Sequence, residues 1–406
     1  MRGPVLRPSL VRRWASSSAT ARANAGKLYV CGTAEANKLG LADQNDREVP
    51  TLVPHLEHTP VLSVACGKFH TVALAQSGDV YAWGSNESGQ LGLGHRSKVE
   101  TPTKVESLSG VGVTALACGL YHTLALTDKG DVLSCGFGGS FWNGAGALGQ
   151  GDRSQLDTPK RIVQFGTDAE VVAKTIAAGG YHSMVLDADN QVWTWGRGEW
   201  GRLGLGDSSD ALTPQQMYLE GDTPPRVAAA LTGESHSAIV GAGGEILLWG
   251  RNEHWQLGAE VSGLLNSGQS FDAQQEPHVL KLDGPEGAAG DAHVVKATCG
   301  EMGTAVLLSD GNALIWGLGR YYEPTKIPNF KELIGDDSIS QLELGGSQLA
   351  VRTASGAVYT FGSGTALGHA KVERKSWELQ RVSSLADTRV SHVACGSSTT
   401  AFIVEE

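Results

Sequence analysis

Four histidines share one setting. His70, His122, His182 and His236 each follow a Gly by three residues and precede Thr or Ser. Imidazole beside hydroxyl is the pairing that activates a nucleophile. A catalytic histidine is singular, however, and these recur along the chain. No Gly-x-Ser-x-Gly elbow, phosphate loop or His-x-x-x-His accompanies them. The six cysteines, Cys31, Cys66, Cys118, Cys135, Cys299 and Cys395, are far apart and form no Cys-x-x-Cys. They supply neither a zinc knuckle nor a dense disulfide framework. The expectation is a non-enzymatic protein with no catalytic residue, cofactor or metal, whose repeated histidines satisfy backbone groups in turns.

The elements that hold these residues are themselves repeated. One series runs CGKFHTVAL (66–74), CGLYHTLAL (118–126), AGGYHSMVL (178–186), TGESHSAIV (232–240), CGEMGTAVL (299–307), LGGSQLAVR (344–352) and CGSSTTAFI (395–403). A second runs LYVCG, VYAWG, VLSCG, VWTWG, ILLWG, ALIWG and VYTFG. A Leu-Gly follows, ending at Gly40, Gly92, Gly149, Gly204, Gly258 and Gly368. Last comes Pro with an apolar residue three later, at Pro50, Pro102, Pro159, Pro214, Pro277 and Pro324, with Leu379 in the remaining slot. Each segment is short, β-branched or aromatic, and bounded by Gly or Pro, which is strand chemistry.

Four short strands, seven times over, predict an all-β fold: a single seven-bladed β-propeller. One blade cannot bury both its faces, so the ring folds as one domain over 27–406. LYVCG lacks the Gly-x-x-His strand that should precede it, and the last copy lacks the strand that should follow. The N- and C-terminal strands are therefore expected to pair in a closing blade of about 27–64 plus 386–406, which removes open edges.

Trp83, Trp195, Trp249 and Trp316 occupy one slot, filled elsewhere by Cys31, Cys135 and Phe361. A slot that accepts Trp, Cys or Phe reads as packing between blades. Cys66, Cys118, Cys299 and Cys395 share another slot with Ala178, Thr232 and Leu344, and read as small buried residues.

Composition agrees. Of 406 residues 54 are Gly, only 18% are charged, and the net charge is −11. Gly has no three-residue period, so the chain is not collagen-like. No run of apolar residues is long enough for a membrane-spanning helix. The first acid is Glu35, preceded by five arginines, Lys27 and Ser9, Ser16, Ser17 and Ser18. An Arg- and Ser-rich, acid-free segment is expected to be a mitochondrial transit peptide over 1–26. Its removal leaves a charge of −16 and a protein addressed to the matrix, where six free thiols persist.

The order Gly-x-x-His-Thr/Ser, Val-x-x-Trp-Gly, Gln-Leu-Gly-x-Gly resembles the regulator of chromosome condensation repeat family, over about residues 27–406. The resemblance implies a seven-bladed propeller, in a family that includes the nuclear exchange factor for the GTPase Ran, a plant ultraviolet-B photoreceptor and organellar homologues. Some loops of the exchange factor carry Asp before the His. Here those places hold Phe69, Tyr121, Tyr181 and Ser235, with Glu234 the nearest acid. The photoreceptor's Gly-Trp-Arg-His-Thr cluster is also absent. Ran exchange and light sensing are thus not implied.

Deviations from the repeat mark candidate contact residues. The loop after Trp-Gly carries Trp142, Trp200 and Trp255 in three consecutive copies, with Arg197 and Arg251 in one slot of adjacent copies. Trp and Arg on one rim would form a binding hot spot; the alternative is that each Trp folds back onto its own blade. Tyr321 and Tyr322 replace the missing Leu-Gly and form a second candidate. An insertion, 259–293, with six acids and one Lys, reads as a mobile acidic loop. The expected role is a mitochondrial protein-interaction scaffold, an assembly or maturation factor for a large complex such as the mitochondrial ribosome. An exchange factor for an organellar GTPase, with 137–147 as wedge, is the alternative. RNA processing is the third reading, disfavoured by the acidic charge.

Overall fold

The computed structural model describes residues 24–140, 144–219, 226–260, 273–282, 292–370 and 375–406. The described residues are β-strands joined by tight turns, with one short α-helix, Phe330–Ile334. Most strands fall into four-stranded antiparallel sheets. A representative sheet runs Ala173–Ala178, His182–Asp187, Val192–Gly196, Ala211–Met217, in chain order. Five sheets have four strands each, apart from a two-residue hairpin, Gly139–Ser140 with Gly144–Ala145.

The remaining sheet has eight strands and contains both ends of the described chain. Gly26–Gly32 pairs antiparallel with Thr399–Glu405 through seven register partners, from Gly26↔Glu405 to Gly32↔Thr399. A single pair, Gly26↔Val61, links this half to the strands Val61–Cys66, His70–Ala75, Val80–Gly84 and Val99–Lys104.

The innermost strands touch in sequence. Val61–Cys66 meets Val113–Cys118, which meets Ala173–Ala178, then Val227–Thr232, Val294–Cys299, Ile339–Leu344 and Val390–Cys395, and that strand meets Val61–Cys66 again. Together they line a central cavity of ≈ 160 Å³. The second strands, such as His70–Ala75, His182–Asp187 and His236–Gly241, are buried at every position. Neighbouring sheets cover both their faces, which explains apolar runs in place of strict alternation.

The outer strand is docked by the residue three after each Pro. Val53, Val105, Ile162, Leu280 and Ile327 are buried. Their amides donate to Leu28, Val80, Val132, Ile246 and Ala313 at the start of the third strand. Pro suits the position before this anchor because an outer strand has an edge that needs no donor.

The Leu-Gly glycine explains the Trp slot. Gly40, Gly149, Gly204 and Gly258 all have φ near +70°, where a side chain is strained. A Cβ there would also lie within 3 Å of the indole of Trp83, Trp195, Trp249 or Trp316. Each of these tryptophans belongs to the next repeat along the chain and is fully buried.

Candidate binding face

The turn between the first and second strands of a sheet and the turn after the third emerge at the same end. The backbone ties them: Ser85, Phe137, Arg197 and Arg251 donate their amides to the carbonyls of Phe69, Tyr121, Tyr181 and Ser235 at 2.8–2.9 Å. This end, here the upper face, therefore carries the Gly-x-x-His and Trp-Gly loops of every complete copy.

The histidines lie just beneath it and hold sheets together. His70 Nε2 is 2.9 Å from Thr123 Oγ1, His122 3.0 Å from Ser183 Oγ, His182 2.8 Å from Ser237 Oγ and His236 3.0 Å from Thr304 Oγ1. Each partner sits in the next sheet, so the turn-capping role expected from sequence is corrected: these are inter-sheet bridges. The hydroxyls also donate onward, Thr123 to the Gln90 carbonyl and Ser237 to that of Arg202. A hydroxyl has one proton, so the ring must donate from Nε2. Nδ1 of His70, His182 and His236 is buried without a partner. Burial lowers these pKa values, to about 4 for His70 and about 3 for His122 and His236. Burial makes these imidazoles weak bases, and in His70, His182 and His236 the free lone pair on Nδ1 lies in the interior.

The indoles use the same carbonyls. Arg202 O accepts from Trp249 Nε1 and Ser237 Oγ at 3.0 Å, and Gln256 O from Trp316 Nε1 and Thr304 Oγ1 at 2.9 Å. Cys66, Cys118, Cys299 and Cys395 line the central cavity and are only partly buried, where full burial was expected. Burial still pushes the thiols of Cys66 and Cys299 up to about 12, so they are protonated and unreactive. No group of three metal-binding side chains occurs among the described residues.

Above the histidines lies a row of half-buried rings. Phe69 and Tyr121 have centroids 5.8 Å apart, as do Tyr121 and Tyr181. Phe137 meets Tyr121 and Tyr181 edge-on at 6.4 and 6.1 Å. Lys68 lies over Phe69 and Arg197 over Tyr181, each at 5.8 Å. At the mouth of the cavity Lys68 and Glu234 approach to 4.0 Å. Desolvation raises the Glu234 carboxyl above its ordinary pKa. This row is new relative to the sequence reading. Its signal was present: an aromatic before His in three successive copies.

The outer part of the face brings several predicted residues together. Arg251 stacks on Trp200 at 5.0 Å, across two sheets, and is paired with Glu253. Trp255 meets Tyr322 edge-on at 5.0 Å, also from one sheet to the next. Arg197 pairs with Glu199 at 2.9 Å. Trp200 and Trp255 thus each make a contact with a neighbouring sheet. Tyr321 and Tyr322 lie in the strand Tyr321–Lys326, not in a loop. Alternation turns Tyr321 inward, onto Trp377 at 6.2 Å, and leaves Tyr322 64% exposed. Trp142 lies outside the described residues, as do 261–272 and 283–291 of the insertion; between those two stretches, Ala273–Val279 is an outer strand.

Comparison with known proteins follows the same repeats. The RCC1-like domain model matches residues 93–406, and regulator of chromosome condensation repeat models match 61–90 and 25–74. The chain belongs to the RCC1-like family. It is 30% identical over 342 residues to the ultraviolet-B receptor UVR8 of Arabidopsis thaliana, covering 82% of this chain and 72% of the receptor. It is 33% identical over 243 residues to human RCC2, covering 55% of this chain and 46% of RCC2. It also matches the human E3 ubiquitin-protein ligase HERC2 at 30%, over 72% of this chain but 6% of the ligase. The chain thus spans less than half of RCC2 and a small part of HERC2. Among solved structures, human WBSCR16 aligns with a TM-score of 0.76 at 23% identity, covering 94% of this chain and 99% of that one. Prp20p of Saccharomyces cerevisiae aligns with a TM-score of 0.77 at 20% identity, covering 97% and 96%. At these identities both show a common fold.

Proposed function

We infer that this RCC1-like protein is a non-enzymatic scaffold that captures protein partners on its upper face. The observation that carries the reading is the aromatic row Phe69–Tyr121–Tyr181 with Phe137, flanked by the Trp200–Arg251 and Trp255–Tyr322 pairs. Half-exposed aromatics and arginines on rigid turns are the composition of hot spots, and rigid turns bind with little loss of backbone entropy. The scaffold itself is a seven-bladed ring, counting the eight-stranded sheet as two blades. The pairing of Gly26–Gly32 with Thr399–Glu405 supports its closure. The basic segment 1–26 addresses the protein to the mitochondrial matrix, where it assists assembly of a large complex such as the ribosome.

A second reading has its own observation. The wedge candidate 137–147 contains an extra two-residue hairpin, Gly139–Ser140 with Gly144–Ala145, in the loop after the third strand of its sheet. Prp20p, of the same fold, has described binding properties to Gsp1p and histones. An exchange factor would press such a hairpin into the phosphate and Mg²⁺ site of a GTPase and loosen its nucleotide.

The test is quantitative affinity capture from mitochondria with the wild type and the double variant Tyr121→Ala/Tyr181→Ala. Loss of specific partners from the variant, with the melting temperature held, supports the face. Identical capture by both proteins overturns it. Accelerated GDP release from a captured GTPase, abolished by deleting 139–145, selects the second reading.

A further inference from the structure

We propose that the mouth of the central cavity on the upper face is a receptor for an arginine side chain presented by an exposed segment of the protein partner. This rests on the protein-binding reading above and specifies the chemistry that the face accepts.

In the turn between the first and second strands, the residue after the first glycine lines the cavity in six copies: Lys68, Leu120, Gly180, Glu234, Glu301 and Ser397. Two carboxylates therefore face one lysine. Glu234 lies over Gly180, where a Cβ would come within 2.9 Å of its Cγ. Glu301 lies over Gly346, where a Cβ would meet Oε2 at 2.9 Å. A side chain at either glycine would displace the carboxylate from the rim. Glu234 has Lys68 at the limit of an ion pair, 4.0 Å. The carboxylate of Glu301 has no ion pair or hydrogen bond among the described residues. The nearby Lys38 ammonium is buried and committed to Glu35 at 3.7 Å, the Lys68 carbonyl at 3.2 Å and Ser398 Oγ at 2.7 Å.

The rings supply the second half of the site. Tyr181 follows Gly180 directly, so the aromatic row borders Glu234. The negative face of an aromatic ring attracts a cation, and more strongly where water is excluded. The row already shows this preference within the molecule, with Lys68 over Phe69 and Arg197 over Tyr181. Guanidinium fits better than ammonium. It is planar, stacks on Tyr, pairs bidentately with carboxylate and is less strongly hydrated. An anionic ligand is disfavoured, because the lysine at the mouth already has Glu234 beside it, and Arg197 and Arg251 farther out are paired with Glu199 and Glu253. The net charge of −11 adds long-range attraction for a basic segment.

The experiment uses the full chain and three fluorescein-labelled probes: the peptide Gly-Gly-Arg-Gly-Arg-Gly-Gly, its Lys counterpart, and a ten-residue uridine oligonucleotide. Anisotropy titrations are run on the wild type and on Glu234→Gln/Glu301→Gln, which keeps shape and removes charge. The Arg peptide is expected to bind several-fold tighter than the Lys peptide and to weaken at least tenfold in the double variant. Circular dichroism melting of that variant confirms folding, and Glu301→Gln alone, which touches no ion pair, serves if the double variant is unfolded. Equal binding of the Arg peptide to wild type and folded variant overturns the proposal. So does tighter binding of the oligonucleotide, or self-association in sedimentation with no peptide bound. Partner capture that survives Glu234→Gln/Glu301→Gln while falling in Tyr121→Ala/Tyr181→Ala removes the arginine receptor but leaves the protein-binding face standing.

Discussion

Trp255 occupies a position built for glycine. Its φ is +64°, and the equivalent residues three before the Leu-Gly glycine include Gly89 at +83°, Gly201 at +70° and, in the first copy, Asn37 at +61°. A left-handed conformation costs a residue with a Cβ about 1–2 kcal/mol. Trp255 regains part of that through its edge-on contact with Tyr322 at 5.0 Å, worth about 0.5–1.5 kcal/mol. The two substitutions Trp255→Gly and Trp255→Ala separate these effects. Both lose the ring contact, but only Gly relieves the strain. Trp255→Gly should therefore be more stable than Trp255→Ala by about 1 kcal/mol, the reverse of the order at an ordinary position, where Gly is the more costly residue. Against the wild type, Trp255→Gly should be close to neutral. Urea unfolding followed by tryptophan fluorescence and by circular dichroism measures all three proteins. If Trp255→Gly also loses partner capture, the wild-type residue is retained for binding at a cost in strain. A Trp255→Gly protein less stable than Trp255→Ala would refute the reasoning, because the left-handed position would then carry no penalty.

Other outcomes follow from the same geometry. Trp249→Ala empties a fully buried site beside Gly204 and should cost roughly 3–5 kcal/mol, whereas Trp200→Ala, at a half-buried position that includes the Arg251 stack, should cost clearly less; thermal melts of the two variants compare them. The buried histidines are neutral in the folded state with pKa lowered to about 4 for His70 and about 3 for His122 and His236. The unfolded chain takes up protons near the ordinary value, so stability should fall as pH drops from about 6.5 toward 4. His122→Gln should flatten that slope in urea midpoints measured across the range. Ending the chain at 389 removes Val390–Cys395 and Thr399–Glu405, leaves one edge of Gly26–Gly32 open, and should give aggregation or a lost cooperative melt.

The repeating parts of the fold were legible because each slot is set by local chemistry. Pro with an apolar anchor three later marks the outer strand, and Val53, Val105 and Ile162 are buried as that spacing requires. Trp83 and its counterparts lie in a slot that tolerates only bulk or a thiol, and all four are enclosed. What sequence could not show is which slots meet across the ring. Lys68 and Glu234 are separated by two intervening copies, yet approach across the cavity mouth. The histidines were read as local turn residues, because a hydroxyl 53 to 68 positions away becomes a partner only when sheets stack. Tyr321 and Tyr322 looked equivalent beside a missing Leu-Gly. A strand there gives one to the core and one to solvent.

The claim that partners are held by the upper face is tested most directly by site-specific photo-crosslinking in isolated mitochondria. A benzophenone residue replaces Tyr121 on the upper face in one protein. In another it replaces Lys129, exposed in the turn at the opposite end of the same strand pair. The account predicts a discrete crosslinked partner from position 121 and none from 129. A discrete partner from position 129, with none from 121, would contradict it.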